Sequence, residues 1–162
     1  MIVLLHNIRS MHNVGSIFRT AEAAGVEKIY LCGITPSPID ELGRSRQKLV
    51  KVALGAEKFV KWEKSPTTLS VIKKLKKRRY KIYAIEQGEK SIPYYSAVLS
   101  KSDYSKVVLV LGGEIKGLTP PILKECSKVL EIPMHGKKES LNVSVAFGIV
   151  IFHLLTSHSG KI

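Results

Sequence analysis

The stretch Ile132-Pro133-Met134-His135-Gly136-Lys137-Lys138-Glu139-Ser140-Leu141-Asn142-Val143-Ser144-Val145-Ala146 decides how the rest of the chain is read. It opens as the end of a strand. Val129, Leu130 and Ile132 are apolar, and Pro133 has no N–H for further ladder pairing. A polar loop follows. A helix is then expected from about Ser140 to Leu155, with the Ser140 hydroxyl as its N-cap. The first turn of such a helix suits an anion or a carboxylate. The helix is apolar nearly all round, so it must be covered on more than one side, and a second subunit is one source of cover.

Working outward, Ile2 to Leu5 reads as a buried parallel strand. Asn13 is expected to cap a helix whose apolar face is Val14, Ile17, Phe18, Ala21 and Ala24, ended by Gly25. Lys28 to Cys32 and Phe59 to Trp62 read as strands, with a polar, helical connection from Arg44 to Leu54 between them. Ser65-Pro66 reads as the start of a helix with Leu69, Ile72 and Leu75 inward and Lys73, Lys74, Lys76, Lys77, Arg78 and Arg79 outward. Strands at Lys81–Ile85 and Val107–Leu111 follow, and then a short helix from Thr119 to about Cys126. Strands alternating with helices predict one α/β domain over residues 1–162, with a mainly parallel sheet and helices on both faces.

Lys and Arg number 26 against 13 acidic residues, a formal charge of +13 that favours a polyanionic partner, nucleic acid before membrane. Cys32 and Cys126 share no metal-ligand spacing and read as reduced, buried thiols of a cytoplasmic protein. Met1 to Leu5 is too short for a secretory apolar core, and the apolar C-terminal segment falls short of a membrane span. His6, His12, His135, His153 and His158 show no metal-binding spacing, so no metal site is expected. No serine-centred nucleophile elbow and no Walker A loop is present.

Three segments carry chemistry. The first is Asn13-Val14-Gly15-Ser16-Ile17-Phe18-Arg19-Thr20-Ala21, which on structural grounds alone is a capped helix start with an outward arginine. The second is Leu109-Val110-Leu111-Gly112-Gly113-Glu114-Ile115-Lys116-Gly117-Leu118. Its glycines suit a tight turn or close approach to a ligand, and Glu114 stands at a strand's carboxyl end, where open α/β sheets place their chemistry. The third is the opening stretch. There Asn142, an amide in the first turn of an apolar helix, costs stability unless it finds a partner.

In this order the three segments resemble the motifs of the SpoU/TrmH family of RNA ribose 2′-O-methyltransferases, of the SPOUT superfamily. The resemblance spans roughly residues 7 to 155. It implies a C-terminal trefoil knot, against the general rarity of knots, and a homodimer through the C-terminal helix. It implies S-adenosyl-L-methionine as methyl donor, clasped by Ile85, Gly112, Gly113, Ile132, Met134, Ser140 and Leu141. On that reading Gly113→Val crowds the donor without unfolding the chain. Arg19 is assigned to the target hydroxyl, either as base or as a clamp on the adjacent phosphate, and can act on a donor held by the other subunit. Asn13, Glu114, Ser140 and Asn142 order Arg19 and the nucleotide. The expected substrate is structured RNA, tRNA ahead of rRNA. The alternatives are a SPOUT enzyme that methylates a base nitrogen and a non-catalytic RNA-binding or assembly protein. The lysine-rich helix face is expected either to be merely solvated or to form a phosphate track beside the active site, with Arg9, Arg44, Arg46 and Lys48 as the next candidates.

Overall fold

Every strand pair of the sheet is parallel. The computed structural model describes residues 1–157, with the backbone alone at Lys101 and Ser102; His158 lies outside the described residues. Seven strands lie in the order β3-β2-β1-β6-β4-β7-β5. They are β1 (Ile2–His6), β2 (Lys28–Cys32), β3 (Lys61–Ser65), β4 (Lys81–Ile85), β5 (Ile92–Pro93), β6 (Val107–Gly112) and β7 (Lys128–Glu131). The helices are α1 (Met11–Ala23), α2 (Gln47–Ala53), α3 (Ala56–Phe59), α4 (Thr68–Lys77), α5 (Lys101–Tyr104), α6 (Pro120–Glu125) and α7 (Val143–Thr156).

The central strands are apolar without interruption because both faces are covered. Val3, Leu5, Leu109 and Leu111 pack with Val14, Ile17 and Phe18 of α1 and Phe147, Val150 and Ile151 of α7. Ile2, Leu4, Val108 and Val110 point the other way, onto Val71, Ile72 and Leu75 of α4 and Ile122 of α6. The predicted architecture of a parallel sheet between helical layers is the one observed.

Several boundaries differ from the sequence reading. Asn13 does not cap α1. Ser10 stands at the N-cap, and its hydroxyl accepts from the Asn13 N–H at 3.2 Å. Likewise Ser140 does not cap α7, which begins three residues later than expected. Asn142 takes the cap with φ −57° and ψ 137°, and its side chain accepts from the Ser144 N–H at 2.9 Å. Ser65 closes β3, and Thr67 caps α4 by accepting from the Ser70 N–H at 3.3 Å. Phe59 ends the short α3 and is 77% exposed, so the strand expected at Phe59–Trp62 starts only at Lys61. At α1, α4 and α7 a neighbouring polar side chain takes the capping role.

β5 is two residues long and escaped the sequence reading. Ile85 of β4 and Ile92 of β5 both pair with Leu130 of β7. Residues 86–91 therefore bridge across the carboxyl end of β7. Two bonds hold that bridge, from the Glu86 N–H to the Leu130 carbonyl at 3.0 Å and from the Ser91 hydroxyl to Glu131 at 2.5 Å.

Candidate active site

At the carboxyl ends of β4, β6 and β7 the chain encloses a cleft of about 740 Å³. Crevices there are the usual ligand sites of open parallel sheets, and the volume is that of a small-molecule pocket. Ile85, Gly112, Gly113, Ile132, Met134, Ser140 and Leu141, the residues singled out for the methyl donor, all line it, as do Glu114 and Asn142. Three carboxylates on its wall, those of Glu86, Glu114 and Glu131, stand against the lysine of Lys116. A negative lining in a chain of charge +13 favours a ligand with a cationic centre.

Beside the cleft the three sequence segments meet through one relay. The Asn142 side-chain amide donates to the Asn13 oxygen at 3.0 Å, and the Asn13 amide donates to Glu114 at 2.8 Å. The Asn142 oxygen meanwhile accepts from the N–H and hydroxyl of Ser144. Backbone N–H groups of Arg9 and Ser10 also donate to Glu114, at 3.2 and 3.4 Å. Burial alone would raise the Glu114 pKa. Its own amide, Asn13, Arg9 and Ser10 outweigh that and hold the carboxyl below its ordinary value. The partner Asn142 was expected to need is thus Asn13, itself buried at 6% exposure.

Of the two readings of the glycines, the tight turn is the one that contacts within the chain support. A Cβ on Gly113 would lie 2.3 Å from the Asn7 carbonyl oxygen, and one on Gly112 would lie 2.4 Å from the Gly117 carbonyl carbon. These are contacts within the protein, so Gly113→Val cannot act on a ligand alone without disturbing the fold. Glu86, absent from the sequence-based set, holds the far end of the same loop by accepting from the Leu118 N–H at 2.8 Å. The available signal was its position just beyond an apolar strand, the same as that of Glu114.

Arg19 stays apart. It is exposed on α1, roughly 9 Å along the axis from Asn13, and does not line the cleft of its own chain. Ser140 lines the cleft without capping a helix.

The lysine-rich face is exposed but not beside the cleft. α4 leads from the carboxyl end of β3 to the amino end of β4, so Lys76, Lys77, Arg78 and Arg79 gather at the end of the sheet opposite the cleft. Cys32 is buried but Cys126 only half-buried; both are free, and burial raises each thiol to about 11. Among the described residues no three His, Cys, Asp or Glu side chains could share a metal ion, and no helix is long and apolar enough to cross a membrane.

Comparison with known proteins agrees with this geometry. The model of the SpoU rRNA Methylase family matches residues 1–152. The chain is 31% identical over 153 residues to the tRNA (guanosine(18)-2′-O)-methyltransferase of Aquifex aeolicus, covering 94% of this chain and 67% of that protein. The crystal structure of an A. aeolicus TrmH/SpoU tRNA modifying enzyme superposes with a TM-score of 0.80 at 30% identity, over 98% of this chain and 75% of that one. An AdoMet-bound rRNA methyltransferase from Sinorhizobium meliloti gives a TM-score of 0.80 at 29% identity, over 99% of this chain and 57% of that one. The chain thus spans between about half and three quarters of the length of these relatives. With the matched model running through all three segments that meet at the cleft, the chain belongs to the SpoU rRNA methylase family.

Proposed function

We propose that this chain is a cytoplasmic, S-adenosyl-L-methionine-dependent methyltransferase acting on a ribose 2′-OH of structured RNA, with tRNA ahead of rRNA. The observation that carries the reading is the Asn142–Asn13–Glu114 relay beside a cleft lined by every residue expected to clasp the donor. The cleft's chemistry fits that donor, a flat base joined to a cationic sulfur: apolar Ile85, Ile132 and Leu141 lie among loop backbone, with carboxylates on the wall. The donor, when bound, supplies an electrophilic methyl group.

The residues of the chain do the holding and orienting. Loop backbone at Ile132, Met134 and Gly112 reads the edge of the base. Asn13 and Asn142 fix Glu114, and with Ser140 they order the nucleotide. An arginine stays protonated in ordinary surroundings. The exposure of Arg19 therefore favours a clamp on the phosphate next to the target ribose over the role of base.

The working unit is a single domain that dimerises through α7, where Val145 and Phe152 are 50% and 44% exposed. Arg19 of one subunit then serves the cleft of the other, in keeping with its distance from its own. The bridge of residues 86–91 across β7 supports a trefoil knot formed as the C-terminal segment passes beneath it.

Calorimetric titration with S-adenosyl-L-methionine, followed by methyl transfer to bulk tRNA and to rRNA with mapping of the modified nucleotide, tests the reading. Donor binding and a 2′-O-methyl mark in tRNA are expected. A mark on a base nitrogen, or donor binding with transfer to neither RNA, would overturn it.

A further inference from the structure

A second cleft, of about 220 Å³, lies on the other side of the loop from Gly113 to Gly117, so that this loop is a wall shared with the larger cleft. His6, Asn7, Arg9, Ile34 and Thr119 line the second cleft alone. Its chemistry is mixed in a particular way. Arg9 and Lys116 bring two positive charges against the one negative charge of Glu114, whose carboxylate is already taken up by Asn13 and by the Arg9 and Ser10 N–H groups. Among the described residues neither cationic side chain has a hydrogen-bond or ion-pair partner. Ile34 and Ile115 are 58% and 79% exposed although they are aliphatic.

His6 adds a flat ring whose nitrogens are both engaged. One ring nitrogen meets the Thr68 hydroxyl at 2.8 Å, and the other faces the Asn7 amide at 3.1 Å. With the Asn7 amide donating to Nε2, Nδ1 carries the ring proton and donates to Thr68. Burial lowers the pKa of His6, which keeps the ring neutral. The Asn7 oxygen accepts from the Ile34 N–H at 3.1 Å, so the platform is set before any ligand arrives. A neutral ring and aliphatic side chains flanked by free cations suit one kind of ligand: a base to stack and a phosphate to neutralise.

We propose that this second cleft holds a nucleotide of the RNA strand that flanks the one being methylated, with Arg9 on its phosphate and His6 and Ile34 against its base. The proposal rests on the RNA-methyltransferase reading above. Because one loop separates the two clefts, a strand crossing that loop places neighbouring nucleotides on its two sides. The unpaired cations of the second cleft, not the lysines of α4, then carry the RNA past the active site.

The test uses the full chain and two variants that touch only the second cleft, Arg9→Gln and Ile34→Asn, both at exposed positions. Donor affinity is measured by calorimetry, and bulk tRNA affinity by filter binding across a salt series. Donor affinity should stay within about twofold of wild type in both. Arg9→Gln should weaken RNA binding about tenfold and flatten the log–log salt slope by roughly 0.7 to 0.9. Ile34→Asn should weaken RNA binding by about fivefold or more with the slope unchanged, because stacking releases no counterions. A purely structural role would not split the two variants in this way. Wild-type RNA affinity and slope in both variants would overturn the second cleft and leave the donor reading standing. Failure of the wild-type chain itself to bind RNA would overturn both.

Discussion

The side-chain amide of Asn142 donates to the oxygen of Asn13 at 3.0 Å, across 129 positions of sequence. That bond fixes which way the Asn13 amide faces. Its NH₂ group must point at Glu114, and it does so at 2.8 Å. A flip of the Asn13 amide would set two acceptors against each other at Glu114 and two donors against each other at Asn142.

Asn13→Asp should therefore set two carboxylates face to face. Glu114 has an ordinary value of 4.5 and is held below it in the fold. In the wild type its contribution to stability is present above pH 4.5 and lost as the pH falls through the lower folded value. In the variant the donor is gone and the repulsion raises the carboxyl instead. The stability loss is expected to be about 1–3 kcal/mol at pH 7 and to shrink toward pH 4 as one carboxyl takes a proton. Urea unfolding at the two pH values checks the sign.

Gly113→Ala is expected to destabilise the fold by roughly 1–3 kcal/mol, since the new Cβ would lie 2.3 Å from the Asn7 carbonyl oxygen. Unfolding midpoints without any ligand should show the loss. A variant of unchanged stability with impaired donor binding would restore the glycine to a purely ligand-facing role.

Arg19→Ala should abolish methyl transfer while leaving donor affinity nearly intact, because Arg19 does not line its own cleft. Mixing this variant with a cleft variant such as Leu141→Asp should restore part of the activity if the clamp works across subunits. Turnover at the wild-type rate in Arg19→Ala, or no rescue in mixed samples that have exchanged subunits, would refute the assignment.

Replacing Lys73, Lys77 and Arg78 together by Gln should raise the apparent KM for RNA less than Arg9→Gln does alone. The α4 cluster gathers toward the end of the sheet opposite the cleft, and Lys76 within it is already paired with Glu125 at 2.7 Å. Steady-state kinetics against tRNA concentration separates the two. A larger effect from the α4 triple would return the phosphate track to that helix.

The sequence by itself determined the layers and the list of parts. Short, valine-rich apolar runs such as Val107–Leu111 read as strands covered on both faces, and the spacing of Ile72 and Leu75 turns one face of α4 inward. The order of the three motifs was equally legible, and with it the family and part of the cleft wall, though not Glu86. What the sequence could not decide were choices among adjacent polar side chains. Ser10 and Asn13, Ser65 and Thr67, and Ser140 and Asn142 are all competent caps, and the fold seats Ser10, Thr67 and Asn142 at the helix starts. Nor could it reveal contacts between segments far apart. That Gly113 lies against Asn7, that Glu86 grips Leu118, and that the lysines of α4 stand away from the cleft follow from the parallel topology. A parallel sheet brings the carboxyl ends of β1, β4, β6 and β7 together and sends the far end of every crossover helix to the other side, and no local pattern of residues encodes that.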